Sequence, residues 1–208
     1  MQGTGFDDSG LSPSVPVSLS RPVDGGDLLV GWFAQYGAAG HVRVSDNVNG
    51  AWTRAPDSEQ FGGARGDIAL YYLAASKAAA GGITITVSAS SGADFQGSAA
   101  EYSGAGASSQ LSAMAVSRGW GTTVQTNASS PVPSGQLVYA AEVTGVSPGA
   151  AAAPGSSDGI AYSRRAGTAS GSACEGDIPS AAAGVQTGDA ILPASTDWYA
   201  VLTTFAPG

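Results

Sequence analysis

Glu101 and Glu142 stand in matching surroundings, Ala-Ala-Glu-Tyr-Ser-Gly and Ala-Ala-Glu-Val-Thr-Gly. Two carboxylates facing one groove from adjacent strands would raise one pKa and set a general acid beside a base, as glycoside hydrolysis requires. The plainer expectation for both is a carboxylate that is solvated or bonded to Thr, Tyr or backbone groups. A Ser-His-Asp arrangement would have to use His41, the single histidine. Residues 155–159, Gly-Ser-Ser-Asp-Gly, fit G-x-S-x-G, but a nucleophile elbow needs a strand before it and a helix after it. Here the motif lies in a Pro-, Ser- and Gly-rich stretch, where chance supplies such matches. His41 is expected as an exposed strand residue. No catalytic residue is assigned, and the chain is expected not to be an enzyme.

Asp46, Asn47 and Asn49 put three oxygen-bearing side chains in one turn, a calcium candidate if backbone carbonyls complete the shell. The run lacks the carboxylate spacing and distal Glu of an EF-hand loop. A turn held by Asx hydrogen bonds is therefore the expectation, and no cofactor is expected. The lone Cys174 excludes an intrachain disulfide and a multi-cysteine zinc site, and it is expected as a small buried apolar residue. Asn127-Ala128-Ser129 fits the glycosylation pattern, which matters only in a eukaryotic secretory route.

For binding, the candidates are aromatic: Trp32, Trp52, Trp120, Trp198, Tyr71, Tyr72 and Tyr102. Flat rings along an exposed strand suit sugar rings, because they offer apolar area at little entropic cost. In a sandwich of small residues, however, most large side chains must fill the core. Trp32 lies in an apolar run and Trp198 in a closing strand, so both are expected inside. Trp120, between Gly119 and Gly121, is the leading surface candidate, and Trp52 and Tyr102 complete the ligand-binding set.

These residues must be held by a chain of 208 residues with 31 Gly, 43% hydrophobic and only 12% charged residues. Gly, Ala and Ser together make nearly half of it. The mark of disorder, low hydrophobicity with high charge, is absent, as are a three-residue Gly period and an apolar run long enough to span a bilayer. A soluble globular protein is expected, without membrane insertion. Its net charge of -8, with Arg164-Arg165 the sole adjacent basic pair, argues against a nucleic-acid partner. The N-terminus shows no positive or apolar signal region, so either export takes another route or a signal has been removed.

Period-two and apolar runs predict strands over 27–34, 41–44, 51–54, 68–74, 83–88, 95–102, 111–116, 122–126, 135–143, 160–164 and 197–205. Asn49-Gly50 predicts a hairpin turn, and Ile83, Ile85 and Val87 are predicted on a buried face. Residues 74–80 are the clearest helix candidate, and 149–158 read as a surface loop. Short strands with Gly, Pro and Asn turns predict an all-β, antiparallel β-sandwich of jelly-roll-like type.

Three segments recur. Residues 26–30 match 135–138, 49–54 match 158–164 with one insertion, and 94–104 match 197–208. Two pseudo-repeated halves follow, expected to interleave as the two sheets of one jelly roll. Residues 1–20 are expected as an N-terminal arm and 21–208 as one domain, with halves at 21–106 and 107–208.

Gly26 to Val30, Asn49 to Thr53, Ile68 to Leu73, Ile83 to Val87 and Glu101 to Gly104 together resemble a jelly-roll-like module of phage tail proteins and bacterial secreted proteins. The Ala/Gly-rich style with few lysines also resembles virion proteins of phages that infect high-GC actinobacteria. These signatures belong to strands and turns, so the resemblance implies a fold and no catalytic residue. It implies a structural or host-facing module of a bacteriophage virion, a minor tail or decoration protein. Such a module would contact other virion proteins, copies of itself or a cell-surface glycan. The alternative is an extracellular carbohydrate-binding module of a secreted bacterial protein. A jelly-roll glycan hydrolase is a third reading.

Overall fold

The computed structural model describes residues 1–56, 59–61, 66–103, 111–144, 153–154, 156–157, 160–167 and 173–207. The regular elements among them are all strands. The first half supplies β1 (Gln2–Leu19), β2 (Leu28–Tyr36), β3 (Arg43–Asp46), β4 (Gly50–Ala51), β5 (Thr53–Arg54), β6 (Glu59–Phe61), β7 (Gly66–Leu73) and β8 (Ile83–Tyr102). The second supplies β9 (Leu111–Gln125), β10 (Leu137–Thr144), β11 (Ala153–Pro154), β12 (Ser156–Ser157), β13 (Ile160–Ala161), β14 (Ser163–Gly167), β15 (Ala173–Ile178) and β16 (Asp189–Phe205). Among the described residues no helix is long and apolar enough to cross a membrane.

Among the described residues all strand pairing is antiparallel, and strands pair within their own half. β1 and β8 run together from Gln2↔Glu101 to Leu19↔Ile83, with register shifts between Asp8 and Ser14. At this corner Leu11 takes a positive φ of 51°, and a Cβ on Gly92 would lie 2.4 Å from the Leu11 carbonyl oxygen. Both long strands therefore bend at one place and fold the sheet over. Their inner legs lie in the order β1-β8-β2-β7, and their outer legs in the order β1-β8-β3-β4. First–fourth–second–third is the strand order of a jelly-roll sheet.

The second half repeats this order as β9-β16-β10-β15. The repeat holds in register. Leu28↔Tyr102 and Thr53↔Tyr72 correspond to Leu137↔Phe205 and Ser163↔Asp177. The bridges Val23↔Ala79 and Val132↔Gly184 correspond as well. Gly26 and Gly135, with φ of 95° and 84°, make the same turn into β2 and β10. Each therefore needs the left-handed conformation that glycine adopts without steric cost. The three recurring sequence segments fall on equivalent strands. Each half thus folds over on its own strands, and the halves do not interleave.

Three buried regions follow. The first half encloses Phe33, Trp52, Tyr71, Phe95, Ile83, Ile85 and Val87, with Phe33 edge-on to Trp52 at 6.2 Å. A seam between the halves joins Leu28, Val30, Trp32, Ala34 and Tyr102 to Leu137, Tyr139, Ala141, Val143 and Phe205. The second half encloses Val124, Leu192, Trp198 and Ala200, with Tyr162 and Ile178 alongside. Leu28 pairs with Tyr102 as Leu137 does with Phe205, so the halves meet through the same face of the repeat. β2 and β10 are covered on both sides, which is why each is buried along nearly its whole length and is mostly apolar. Burying one such side chain contributes about 1.5–3 kcal/mol.

Further expectations are corrected. Residues 74–80 form no helix, because their backbone bonds the 23–27 turn: Gly26 N–H to Ser76 O at 2.8 Å and Val23 N–H to Ala79 O at 3.0 Å. Residues 1–20 are not a free arm, since β1 is ladder-paired along most of its length. β15, unread in the sequence, is a central strand of the second half. Of the expected loop 149–158, residues 153–154 and 156–157 form short strands, and the rest lie outside the described residues.

Candidate functional site

The calcium candidate is a closed turn. Asp46 Oδ1 accepts from the backbone N–H of Val48 and Asn49 at 2.7 and 2.6 Å, and Oδ2 accepts from Asn49 Nδ2 and Trp52 Nε1 at 3.0 and 2.7 Å. Asn47 Oδ1 accepts from Thr84 N–H, and Asn49 Oδ1 from Lys77 N–H. Burial pushes Asp46 up, but the donors from Asn49, Trp52 and Val48 outweigh it and hold the carboxyl below its ordinary range. The oxygens a cation would need already accept protein donors. Among the described residues no cluster of metal-ligating side chains forms.

Two of the three ligand-binding candidates are interior. Trp52 is buried between Asp46 and Phe33. Tyr102 is buried in the seam, where burial, then the charges of Glu175 and Asp177, raise its pKa far above the ordinary value. Tyr102 lies on the seam side of β8 and Trp52 turns inward between β4 and β5, which residue type alone does not reveal.

Glu101 and Glu142 do not face one groove. Both point away from the seam, Glu101 into the first half and Glu142 into the second, because their neighbours Ala100, Tyr102, Ala141 and Val143 line the seam between them. Glu101 accepts from Gln2 Nε2 at 2.9 Å, and burial followed by a hydrogen bond with Asp27 raises its pKa. The second half places Thr204 and Gln136 at the positions of Glu101 and Asp27, so the repeat tolerates neutral groups there. Glu142 occupies the position of Phe33, beside a cavity of about 10 Å³, room for roughly one water.

His41 is half exposed at the rim, 3.1 Å from Asp67 Oδ1, just before β3. Asp67 also accepts from Val42 N–H and Arg54, both at 2.8 Å. Ser157, the central residue of G-x-S-x-G, is buried in the second half and donates to Gln186 Oε1 at 2.9 Å. The single histidine is thus committed in the other half. Gly155, Asp158 and Gly159 of that motif lie outside the described residues, as does Gly104. Cys174 enters β15 opposite Glu142.

The seam holds a polar cluster that the sequence did not announce. Tyr139 donates to Glu175 Oε2 at 2.6 Å, and Arg165 Nε donates to Asp177 Oδ2 at 2.6 Å. Both carboxylates are fully buried. Burial drives Glu175 up to about 7 against the lowering effect of Tyr139 and Ser98, and the Asp177 charge raises it further. Its place between β10, β8 and β14 makes this cluster a brace between the halves.

Trp120 is the candidate that stands outside. It is 70% exposed and pairs with Asp197 across the β9–β16 ladder, while Arg118 pairs with Tyr199. Alternation along the strands puts all four side chains on one face. On the opposite face the Trp198 ring lies over Gly119, where a Cβ would sit 2.4 Å from Cζ2. A groove of about 300 Å³ is lined by Arg118, Gly119, Asp197, Trp198 and Tyr199.

The groove sits at a definite end of the molecule. Tyr36 and Thr144 close β2 and β10, with the Tyr36 hydroxyl 3.5 Å from the Thr144 carbonyl oxygen. Tyr36 pairs with Asp94 and Thr144 with Trp198. The folded corners of both halves, carrying exposed Leu11 and exposed Trp120, therefore lie at the same end.

No family model matches the sequence, and no curated protein matches it. Among solved structures, a conserved protein of unknown function from Pseudomonas aeruginosa PAO1 aligns over 92% of this chain and 80% of its own, with 13% identity and a TM-score of 0.29. The STIV MCP, a viral capsid protein, aligns over 99% and 96%, with 7% identity and a TM-score of 0.28. At these TM-scores neither likeness carries an argument about fold or function.

Proposed function

We propose that the chain is a non-catalytic, host-facing structural module of a bacteriophage virion, a minor tail or decoration protein. One observation supports this most directly: the corners of the two halves bring large exposed apolar side chains, Leu11 and Trp120, to one end of the double sandwich. Exposed apolar area gathered in this way marks a contact surface. The buried carboxylates Asp46, Asp67, Glu101, Glu175 and Asp177 support the same reading, because each holds a turn, a strand or the seam. Its partners are then other virion proteins, further copies of the chain or a cell-surface glycan.

Purified particles from the genome that encodes the chain provide the test. Mass spectrometry should detect the chain in stoichiometric amount, and antibody labelling should place it on the particle surface. Its absence from washed particles would sink the reading.

A further inference from the structure

The two halves share strand order and register, and at the exposed end their residues differ in chemistry. Asp8↔Phe95 in the first half corresponds to Gly119↔Trp198 in the second. It follows that Trp120 stands where the first half has Ser9, and Arg118 where it has Asp7. Likewise Asp197 occupies the place of Asp94, and Tyr199 that of Gln96. The first half closes the same corner with a serine, so the fold does not require an indole there. At 70% exposure Trp120 also gains little from burial. Its neighbours are not apolar, as a protein-docking core would have them. They are a carboxylate directly across the ladder, a guanidinium and a phenol.

A hexopyranose fits this set. One face of the ring is apolar C–H surface, which stacks on an indole, and its rim carries hydroxyls that donate to a carboxylate and accept from a guanidinium or phenol. Cross-strand partners stand about 4.5–5.5 Å apart at Cβ, so Trp120 and Asp197 reach the face and the rim of a single sugar. The paired ladder holds them in place before binding, which lowers the entropic cost. A net charge of -8 disfavours a polyanionic glycan, and the groove of about 300 Å³ beside Trp120, lined by Asp197, Arg118 and Tyr199 among others, has room for sugar units that extend past the ring.

We infer that the exposed Trp120–Asp197 pair, with Arg118 and Tyr199 beside it, is a binding site for a neutral hexopyranose oligosaccharide. The inference rests on the host-facing reading only for the origin of the glycan. Particle composition tests that reading, binding by the isolated chain tests this one, and either can fail alone.

The probes are maltohexaose, cellohexaose, chitohexaose and β-1,4-galactohexaose, each titrated to low-millimolar concentration against the full chain by tryptophan fluorescence and saturation-transfer NMR. At least one should bind, with transfer strongest at the C–H groups of one ring face. Trp120→Ala should weaken it roughly tenfold or more, and Asp197→Asn should weaken it with the indole intact, both at unchanged Tm. Silence from every probe overturns the inference. So does binding that survives Trp120→Ala.

Discussion

The Tyr139 hydroxyl donates a 2.6 Å hydrogen bond to Glu175 Oε2 inside the seam where the two halves meet. The bond favours the carboxylate, but burial of the charge prevails and lifts Glu175 to about 7 from an ordinary value of 4.5. A raised carboxyl stabilises the fold fully below the unfolded value and loses that contribution as pH rises through the folded one. Stability should therefore fall between about pH 4.5 and 7, by about 3 kcal/mol from this group alone. Glu101, also raised, acts in the same direction. Tyr139, Ser98, Asp177 and Tyr102 set the local field at Glu175, and Arg165 pairs with Asp177 beside it. Urea midpoints at pH 5 and pH 8 should differ in the wild type and differ markedly less in Glu175→Gln, where Glu101 still contributes; an equally steep slope in that variant would refute the assignment.

The two tryptophans flanked by turn residues in the sequence should separate cleanly on substitution. Trp52 is buried against Phe33 and bonded to Asp46, so Trp52→Ala should cost about 3–5 kcal/mol. Trp120→Ala should change stability by no more than about 0.5 kcal/mol. Denaturant unfolding of both variants decides it. Near-equal losses would mean that Trp120 is not the exposed residue described.

Much of this fold was legible. The apolar runs of β2 and β10, the alternation of Ile83, Ile85 and Val87, and the Asn49-Gly50 turn were all read correctly, because each carries its signal locally. β1 was not, since residues 2–19 are mostly Gly, Ser, Asp and Pro, and it becomes a strand only through β8. Edge position is what lets it keep Pro16 within a ladder. Residues 74–80 misled for the converse reason: alanine favours a helix locally, but bonds to the 23–27 turn override it. At the site, flanking glycines gave away Trp120. Asp197 and Tyr199 join it only through the β9–β16 register, which no local pattern encodes.

The Asp46 turn should prove structural and indifferent to calcium. Asp46→Ala leaves Val48 N–H, Asn49 N–H and Trp52 Nε1 without their acceptor, at a cost of about 2–3 kcal/mol. Because its pKa is lowered, this carboxylate stabilises the fold above the ordinary Asp value and loses that effect as pH falls through the folded one. Thermal melts with and without millimolar calcium should superimpose. A calcium-dependent rise in Tm that Asp46→Ala abolishes would restore the metal reading.

Gly119 should tolerate alanine only if Trp198 is made smaller. An added Cβ would lie 2.4 Å from Trp198 Cζ2 and 2.8 Å from Cε2, and the indole is fixed in the second core by Val124, Ala190, Leu192 and Ala200. A rigid ring cannot yield by bending, so Gly119→Ala should cost about 1–3 kcal/mol. The first half shows the escape, for Asp8 occupies the equivalent position opposite Phe95. Trp198→Phe copies that arrangement and opens the space a Cβ needs. In the double variant, the penalty of Gly119→Ala should shrink well below its value in the wild type. Unfolding free energies of the four proteins in this cycle measure the coupling directly. If the two substitutions simply add, the close packing of Trp198 on Gly119 is not what makes glycine necessary at this position.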